Sequence, residues 1–455
     1  MRLAGGSGPR TLGDYAALCL FMLLASAVWV ESDAYRYSAI IIVAWGLVEY
    51  WRAAFKPSIG WMGYLCIAWV AFVALRYAIV YLDPSVRSHG TSEGIYLLPI
   101  LYMTVGYMMF RFRHLFGTAA VLFIVVSLAM AAVTLQPSAL FESELVPFLM
   151  MNNTIHSSVG AGLIILASIN FAGFIARSQI DRTRRIMWEL AAFSTIGLCI
   201  VGLYGAKSKG VWVAIAVALC VQAFLSLRSS YGKRGRLIGL GFVAALAAFV
   251  SAFSAGIWST IGPSYDSALA ILGSVIDSGR PAEAVQSAIA SGTVPFSMNA
   301  RLMLWSNAVE VWSHDFILGS GVAWKDLWVV ARYRDVGFDL IHNGYLEVAV
   351  RYGLAGLAFY GALYLWSLVM VRRASMRGLI APQVFNFHVV SLVFFLATIA
   401  TNSNNRLAIG ESYMLVAAAF GFYCHFACQY RALAEKSAHP ALVREGENEA
   451  RHMPA

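Results

Sequence analysis

Residues 341–370 read IHNGYLEVAVRYGLAGLAFYGALYLWSLVM. From Gly344 onward only two charges, Glu347 and Arg351, interrupt an apolar run. The run exceeds the roughly 20 residues that an α-helix needs to cross a bilayer. It lacks the strict alternation of a barrel strand, which excludes an outer-membrane barrel. Glu347 and Arg351 are four residues apart, so on a helix they share a face and can neutralise each other inside a membrane. Outward from this stretch, apolar windows of about span length recur at 14–30, 37–51, 59–82, 95–110, 115–135, 158–176, 186–206, 211–227, 237–255, 344–370, 385–401 and 411–430. Across its 455 residues the chain is 60% hydrophobic and 13% charged, with a mean hydropathy of +0.68. Soluble domains run at about 45–50% apolar and 25% charged. A soluble enzyme and a disordered chain are therefore excluded. The expected fold class is an all-α polytopic membrane protein of about 12 transmembrane helices.

The net charge of +9 follows topology. With the N-terminus inside, the connections at 52–56, 111–113, 177–185, 228–236 and 372–377 carry fifteen Lys and Arg, and the opposite short connections carry five: Arg36, Arg87, Lys207, Lys209 and Arg406. The positive-inside rule then places both ends in the cytoplasm, and no nucleic-acid partner is called for. The first window is read as a signal anchor, although Ala25-Ser26-Ala27 imitates a cleavage site. All six cysteines fall within apolar windows, so no disulfide framework is expected. Cys424 and Cys428, with His425 between them, are read as ordinary residues of a lipid-facing last span.

The expected organisation is helices 1–9 over 1–255, a helical periplasmic loop over 256–341, helices 10–12 over 342–430, and a polar cytoplasmic tail over 431–455. A connection as long as 256–341 is usually functional. Pro281-Ala282-Glu283 resembles a helix start. Ser297 is expected to cap a second helix, on which Leu302, Trp305, Val309 and Trp312 recur at helical spacing. Trp324 and Trp328 fall on a further turn, and each loop tryptophan suits either sugar stacking or loop core.

Few titratable groups face outward. Of the external histidines, His89, His156, His314 and His342, the last opens the tenth span at the water–membrane boundary. A helix N-terminus disfavours imidazolium, so a neutral ring there suits either a general base or a simple interfacial cap. Lys207-Ser208-Lys209-Gly210 pins two lysines in a tight outer turn, against the charge rule. Arg301 falls in the expected first turn of the loop helix, where a cation is poorly placed. A phosphate or pyrophosphate headgroup would satisfy all three; so would ordinary phospholipid. Arg87 and Arg406 are weaker versions of the same signal. Arg76 is expected to snorkel toward the outer surface. No Asp-x-Asp and no metal-spaced His/carboxylate cluster is seen on the outer face, so no metal and no cofactor is expected.

His342-Asn343, then Gly353 and Gly356, fit the pattern His-[Asn/Ser/Gln]-x9-Gly-x-x-[Gly/Thr/Tyr], and in this the chain resembles the bacterial O-antigen ligases. The resemblance extends along most of the chain. Arg301 with Trp305 and Leu318-Gly319-Ser320-Gly321 is similar to the family's loop segment. Ser208-Lys209-Gly210 is similar to its Ser-Arg-Gly turn, with Lys in place of Arg. O-antigen polymerases and protein O-oligosaccharyltransferases share part of the pattern. The resemblance implies a fold of the membrane glycosyltransferase C type in the inner membrane of a Gram-negative bacterium, with the active site facing the periplasm. It implies metal-independent transfer of O-antigen from undecaprenyl pyrophosphate to lipid A–core oligosaccharide. His342 would be the base, and Lys209, Arg301, Lys207, Asn343, Arg87 and Arg406 would bind substrate. A different class, a transporter or flippase of lipid-linked glycans, would show inverted repeats and broken spans. The sequence shows neither, and it has no Gly-x-x-x-x-Gly-Lys-Ser loop for ATP.

Overall fold

The computed structural model describes residues 11–84, 86, 91–136, 145–228, 250–337 and 340–438. Its elements are helices: α1 (Leu12–Leu24), α2 (Ala34–Arg52), α3 (Gly60–Leu82), α4 (Pro99–Arg111), α5 (Phe116–Thr134), α6 (Thr154–Arg177), α7 (Arg182–Gly205) and α8 (Lys209–Arg228) come first. The loop region holds α9 (Ser254–Ser278), α10 (Pro281–Ser291), α11 (Phe296–His314) and α12 (Trp324–Trp328), and the chain closes with α13 (Gly344–Met376), α14 (Pro382–Ile399) and α15 (Ala408–Ala438). Local signals set many starts. Thr11 and Asp14 form a capping box on α1, and Asn153, Asp181 and Asn343 cap α6, α7 and α13. Proline takes the first position of α4, α10 and α14, where its missing N–H costs nothing.

The protein is an all-α polytopic membrane protein. Among the described residues seven helical stretches are long and apolar enough to cross a membrane: Gly60–Leu82, Arg113–Thr134, Thr154–Arg177, Arg182–Gly205, Lys209–Ser226, Gly344–Met376 and Pro382–Ile399. Helices also stand at the windows near 14–30, 37–51, 95–110 and 411–430, but α1 with its 3-10 extension and α4 are shorter. The window at 237–255 lies almost wholly outside the described residues. Two apolar cores divide the bundle. One joins α1–α4 to α13 and α15, with Trp69 stacked on Phe359 at a centroid distance of 4.5 Å. The other joins α5–α8 to α14.

Several local expectations are corrected. The last helix is central rather than lipid-facing, and Cys424 and Cys428 are buried on it. It continues past the boundary drawn at 430, to Ala438. Helix α9 already begins at Ser254 and so crosses the boundary drawn at 255. Ser297 is not a cap, because α11 begins at Phe296 behind Pro295. Arg301 thereby moves to the second turn, and the first-turn dipole argument for it lapses. The four loop tryptophans Trp305, Trp312, Trp324 and Trp328 belong to the loop's own apolar cluster with Ala308, Val311 and Ile341.

The tenth span is not continuous. Gly353 has φ 56° and ψ −151°, which breaks α13 after its first turns. The backbone of residues 316–320 fills the break: the N–H of Leu354 donates to the Phe316 carbonyl at 3.1 Å, that of Ala355 to Ile317 at 3.0 Å, and that of Ser320 to Val350 at 2.8 Å. A Cβ on Gly353 would overlap the Ile317 carbonyl, and one on Gly319 (φ 68°) would overlap the Arg351 backbone. Each position therefore demands glycine for both dihedral and space. Arg76 joins this crossing instead of snorkelling away. It donates to the Gly319 carbonyl and stands 3.8 Å from Asp315. At Gly353 the close neighbour is the loop and not another span. A Cβ on Gly356 would meet Val348 and Tyr352, its own helix folded across the break.

Candidate active site

Two α-helix starts and one loop helix converge at the end of the bundle where α13 begins. His342 precedes the cap of α13 and adopts φ 54°, a left-handed conformation uncommon outside glycine. Such strain persists only where surroundings over-determine it, and here they do. The N–H of Ile341 donates to Glu347 Oε1 at 2.9 Å, and the N–H of Gly344 donates to the Asn402 carbonyl at 3.1 Å. The Asn343 side chain is used on both sides. Its Oδ1 accepts from the N–H groups of Tyr345 (3.0 Å) and Leu346 (3.1 Å), and its Nδ2 donates to the Ala400 carbonyl at 3.1 Å.

The segment 400–406 that holds Asn343 also holds the lysine turn. A Cβ on Gly210 would overlap Thr401 Oγ1, so the start of α8 lies directly on that segment. Lys207 occupies the left-handed residue after α7 (φ 49°), a place usually taken by glycine. Lys209 Nζ donates to Ser264 Oγ of α9 at 3.0 Å. Lys209, Arg301 and His342 lie on three separate elements, and the fold brings Arg301 into electrostatic range of each of the other two. Burial holds the half-buried Arg301 guanidinium below its ordinary range. No hydrogen bond or ion pair holds it among the described residues. The His342 imidazole is also pushed below its usual range, first by burial and then by the Arg301 charge, while Glu347 pulls it back upward. A neutral ring in range of one such cation is competent to take a proton while the cation faces developing negative charge.

Beneath this surface lies a network that sequence spacing showed only in part. Glu347 and Arg351 do pair, at 2.6 Å, and both are 0% exposed. Arg351 also binds Glu93 at 3.0 Å and lies 4.5 Å over the Trp324 ring. Tyr352 donates to Glu93 at 2.7 Å. Arg406 Nη1 binds Glu347 at 3.0 Å, and Ser403 Oγ donates to the same carboxylate at 2.9 Å. Two guanidinium groups thus meet two carboxylates, and the charge is balanced within the fold. Arg406 is a member of this network, unlike Arg301. Sequence reasoning missed Glu93 because it sits in a 3-10 segment, Thr91–Leu97, far from α13 in the chain. Arg87 and His89 lie outside the described residues. His156 pairs with Glu31 at 3.2 Å instead.

An apolar cavity of about 510 Å³ flanks the start of α13, with Tyr345, Val348, Leu396 and Ile399 among its walls. No three His, Cys, Asp or Glu side chains converge as a metal site among the described residues.

Residues 194–361 match a family model described as O-antigen ligase. That range includes Lys207, Lys209, Arg301, His342, Gly353 and Gly356, and excludes Arg87 and Arg406. No curated protein matches the chain.

Proposed function

We propose, from the match of residues 194–361 to an O-antigen ligase family model, that the protein transfers O-antigen from undecaprenyl pyrophosphate to lipid A–core oligosaccharide, on the periplasmic side of the inner membrane. The observation that carries the reading is the half-buried Arg301, with no anionic partner among the described residues, in electrostatic range of both Lys209 and His342. Cations gathered without a carboxylate suit a diphosphate leaving group, on which negative charge grows as the glycosidic bond breaks.

In this reading the donor pyrophosphate sits between Arg301 and Lys209, with Lys207 at the rim. Its prenyl chain enters the apolar cavity beside Tyr345 and Val348. The acceptor hydroxyl gives its proton to His342 as it attacks the anomeric carbon, and the lipid pyrophosphate leaves with the bond's electrons. Only one base is required, and the depressed basicity of His342 keeps the ring neutral and receptive near neutral pH. Asn343 acts by fixing the turn that presents His342, and Arg406 acts through Glu347. No metal has a step in this scheme.

Loss of the chain from its host should abolish the capped lipopolysaccharide ladder on a gel, with lipid-linked polymer accumulating. A single repeat left on the core would assign the chain as a polymerase instead, and an unchanged ladder with unmodified glycoprotein would assign a protein O-oligosaccharyltransferase. The break at Gly353 is a feature that transporters share. Loop backbone fills it here, and lipid-linked polymer trapped on the cytoplasmic leaflet would be needed to favour a flippase.

A further inference from the structure

At the opposite end of α13 a second basic site is built that the transfer reaction does not use. Between the last turns of α13 and the facing turns of α15 lies a cavity of about 410 Å³, within the roughly 300–1,000 Å³ of small-molecule sites. Arg373 lines it from the last turn of α13 and Arg377 from the residue that caps that helix, four positions on. Like charges at that spacing repel each other. Neither forms an ion pair among the described residues, and no carboxylate lines the cavity. Arg377 reaches only Cys428, its carbonyl at a long 3.4 Å and its thiol. The opposite wall is already committed: Gln429 Nε2 donates to the Ser58 carbonyl at 2.8 Å, and His425 Nε2 is 3.1 Å from the same oxygen. The two exposed guanidinium groups are therefore the available donors. Met370 and Met376 supply the apolar part of the lining.

We propose that this cavity binds the phosphate headgroup of an anionic membrane phospholipid, with Arg373 and Arg377 as its two ligands. A guanidinium pair matches the oxygens of a phosphodiester. The methionine walls suit the glycerol and the first methylenes of an amphiphile better than a freely soluble anion. The location agrees as well. This is the end of the bundle that loop charge assigns to the cytoplasm, where the leaflet carries anionic lipid and where basic clefts between spans collect it. Placement of cations at a helix C-terminus also complements the helix dipole, but that alone requires no cleft and no second cation on the same face.

The test is native mass spectrometry of the full chain in detergent, titrated with dioleoyl phosphatidylglycerol in competition with dioleoyl phosphatidylcholine. The wild type should retain one phosphatidylglycerol selectively. The Arg373→Ala/Arg377→Ala double variant should bind it at least ~10-fold more weakly, a difference of one decade in affinity, with an unchanged melting temperature. Arg301→Ala, at the other end of the molecule, should retain the selective lipid, so failure here is distinguishable from failure of the transfer reading. Equal phosphatidylglycerol retention by wild type and double variant would overturn the proposal. So would displacement of the lipid by inorganic phosphate, which would assign the cavity to a soluble anion.

Discussion

Two sets of cations stand near the start of α13, and the fold treats them oppositely. Arg351 and Arg406 are matched by Glu93 and Glu347 in a buried, charge-balanced network. Arg301 and Lys209 lie only partly buried, close enough to repel, and share no carboxylate among the described residues. In the proposed reading the difference separates scaffold from site. Paired arginines fix the geometry of the His342 turn through the Ile341 and Ser403 contacts of Glu347. Unpaired cations carry a standing electrostatic cost that an anionic ligand removes.

The contrast breaks most readily at His342. His342→Ala should lower transfer by about 10²–10⁴-fold, the usual loss for a general base, without loss of protein from the membrane or of donor binding. His342→Gln should not rescue it, because an amide takes up no proton, and a chelator should leave the wild-type rate unchanged. Near-normal transfer by purified His342→Ala would remove the base from the scheme.

Next in size is the network itself. Glu347→Gln leaves two buried guanidinium groups facing one carboxylate, and breaking such a pair costs about 3–5 kcal/mol. Detergent melting curves should show a large fall for this variant. Arg301→Gln should melt at or above the wild-type temperature, since it removes an unmatched charge. If the two variants melt alike, the division into scaffold and site is lost.

Activity should show the reverse weighting for Arg301. Arg301→Ala should cost transfer about 10²–10³-fold if one fixed donor to the departing charge is lost. The residual activity of Arg301→Gln carries a sharper signature. The Arg301 charge depresses the His342 basicity, so its removal raises it. The acid limb of the pH–rate profile should then move to higher pH, because the ring protonates earlier as pH falls. A limb that stays in place would place Arg301 beyond reach of the base.

The smallest effect is expected at the outer turn. Lys209→Arg should transfer within a few-fold of wild type, since a guanidinium offers the same charge with a fork of donors, whereas Lys209→Ala should lose donor affinity. Normal transfer by Lys209→Ala would leave the turn to phospholipid.

Much of this was legible in the chain. Apolar windows set the fold class because a bilayer demands internal backbone pairing over a fixed length, and loop charge set the expected orientation. The i, i+4 pairing of Glu347 with Arg351, and the singling out of His342, Lys209 and Arg301, also came from the residues and from the motif they form. Periodicity failed at α13, where Gly353 reads as one more small residue in an apolar run. The break exists because the 316–320 backbone inserts there, and a contact between distant segments leaves no local period. Glu93 was missed for the same reason, as its partners are more than 250 residues away. What the sequence alone determined is the membrane-spanning helical class and the short list of candidate groups, since both depend on residue type and spacing. Only the tertiary structure decided which of these cations meet a carboxylate and which do not, because charge balance depends on which carboxylates the packed helices bring within a few ångströms.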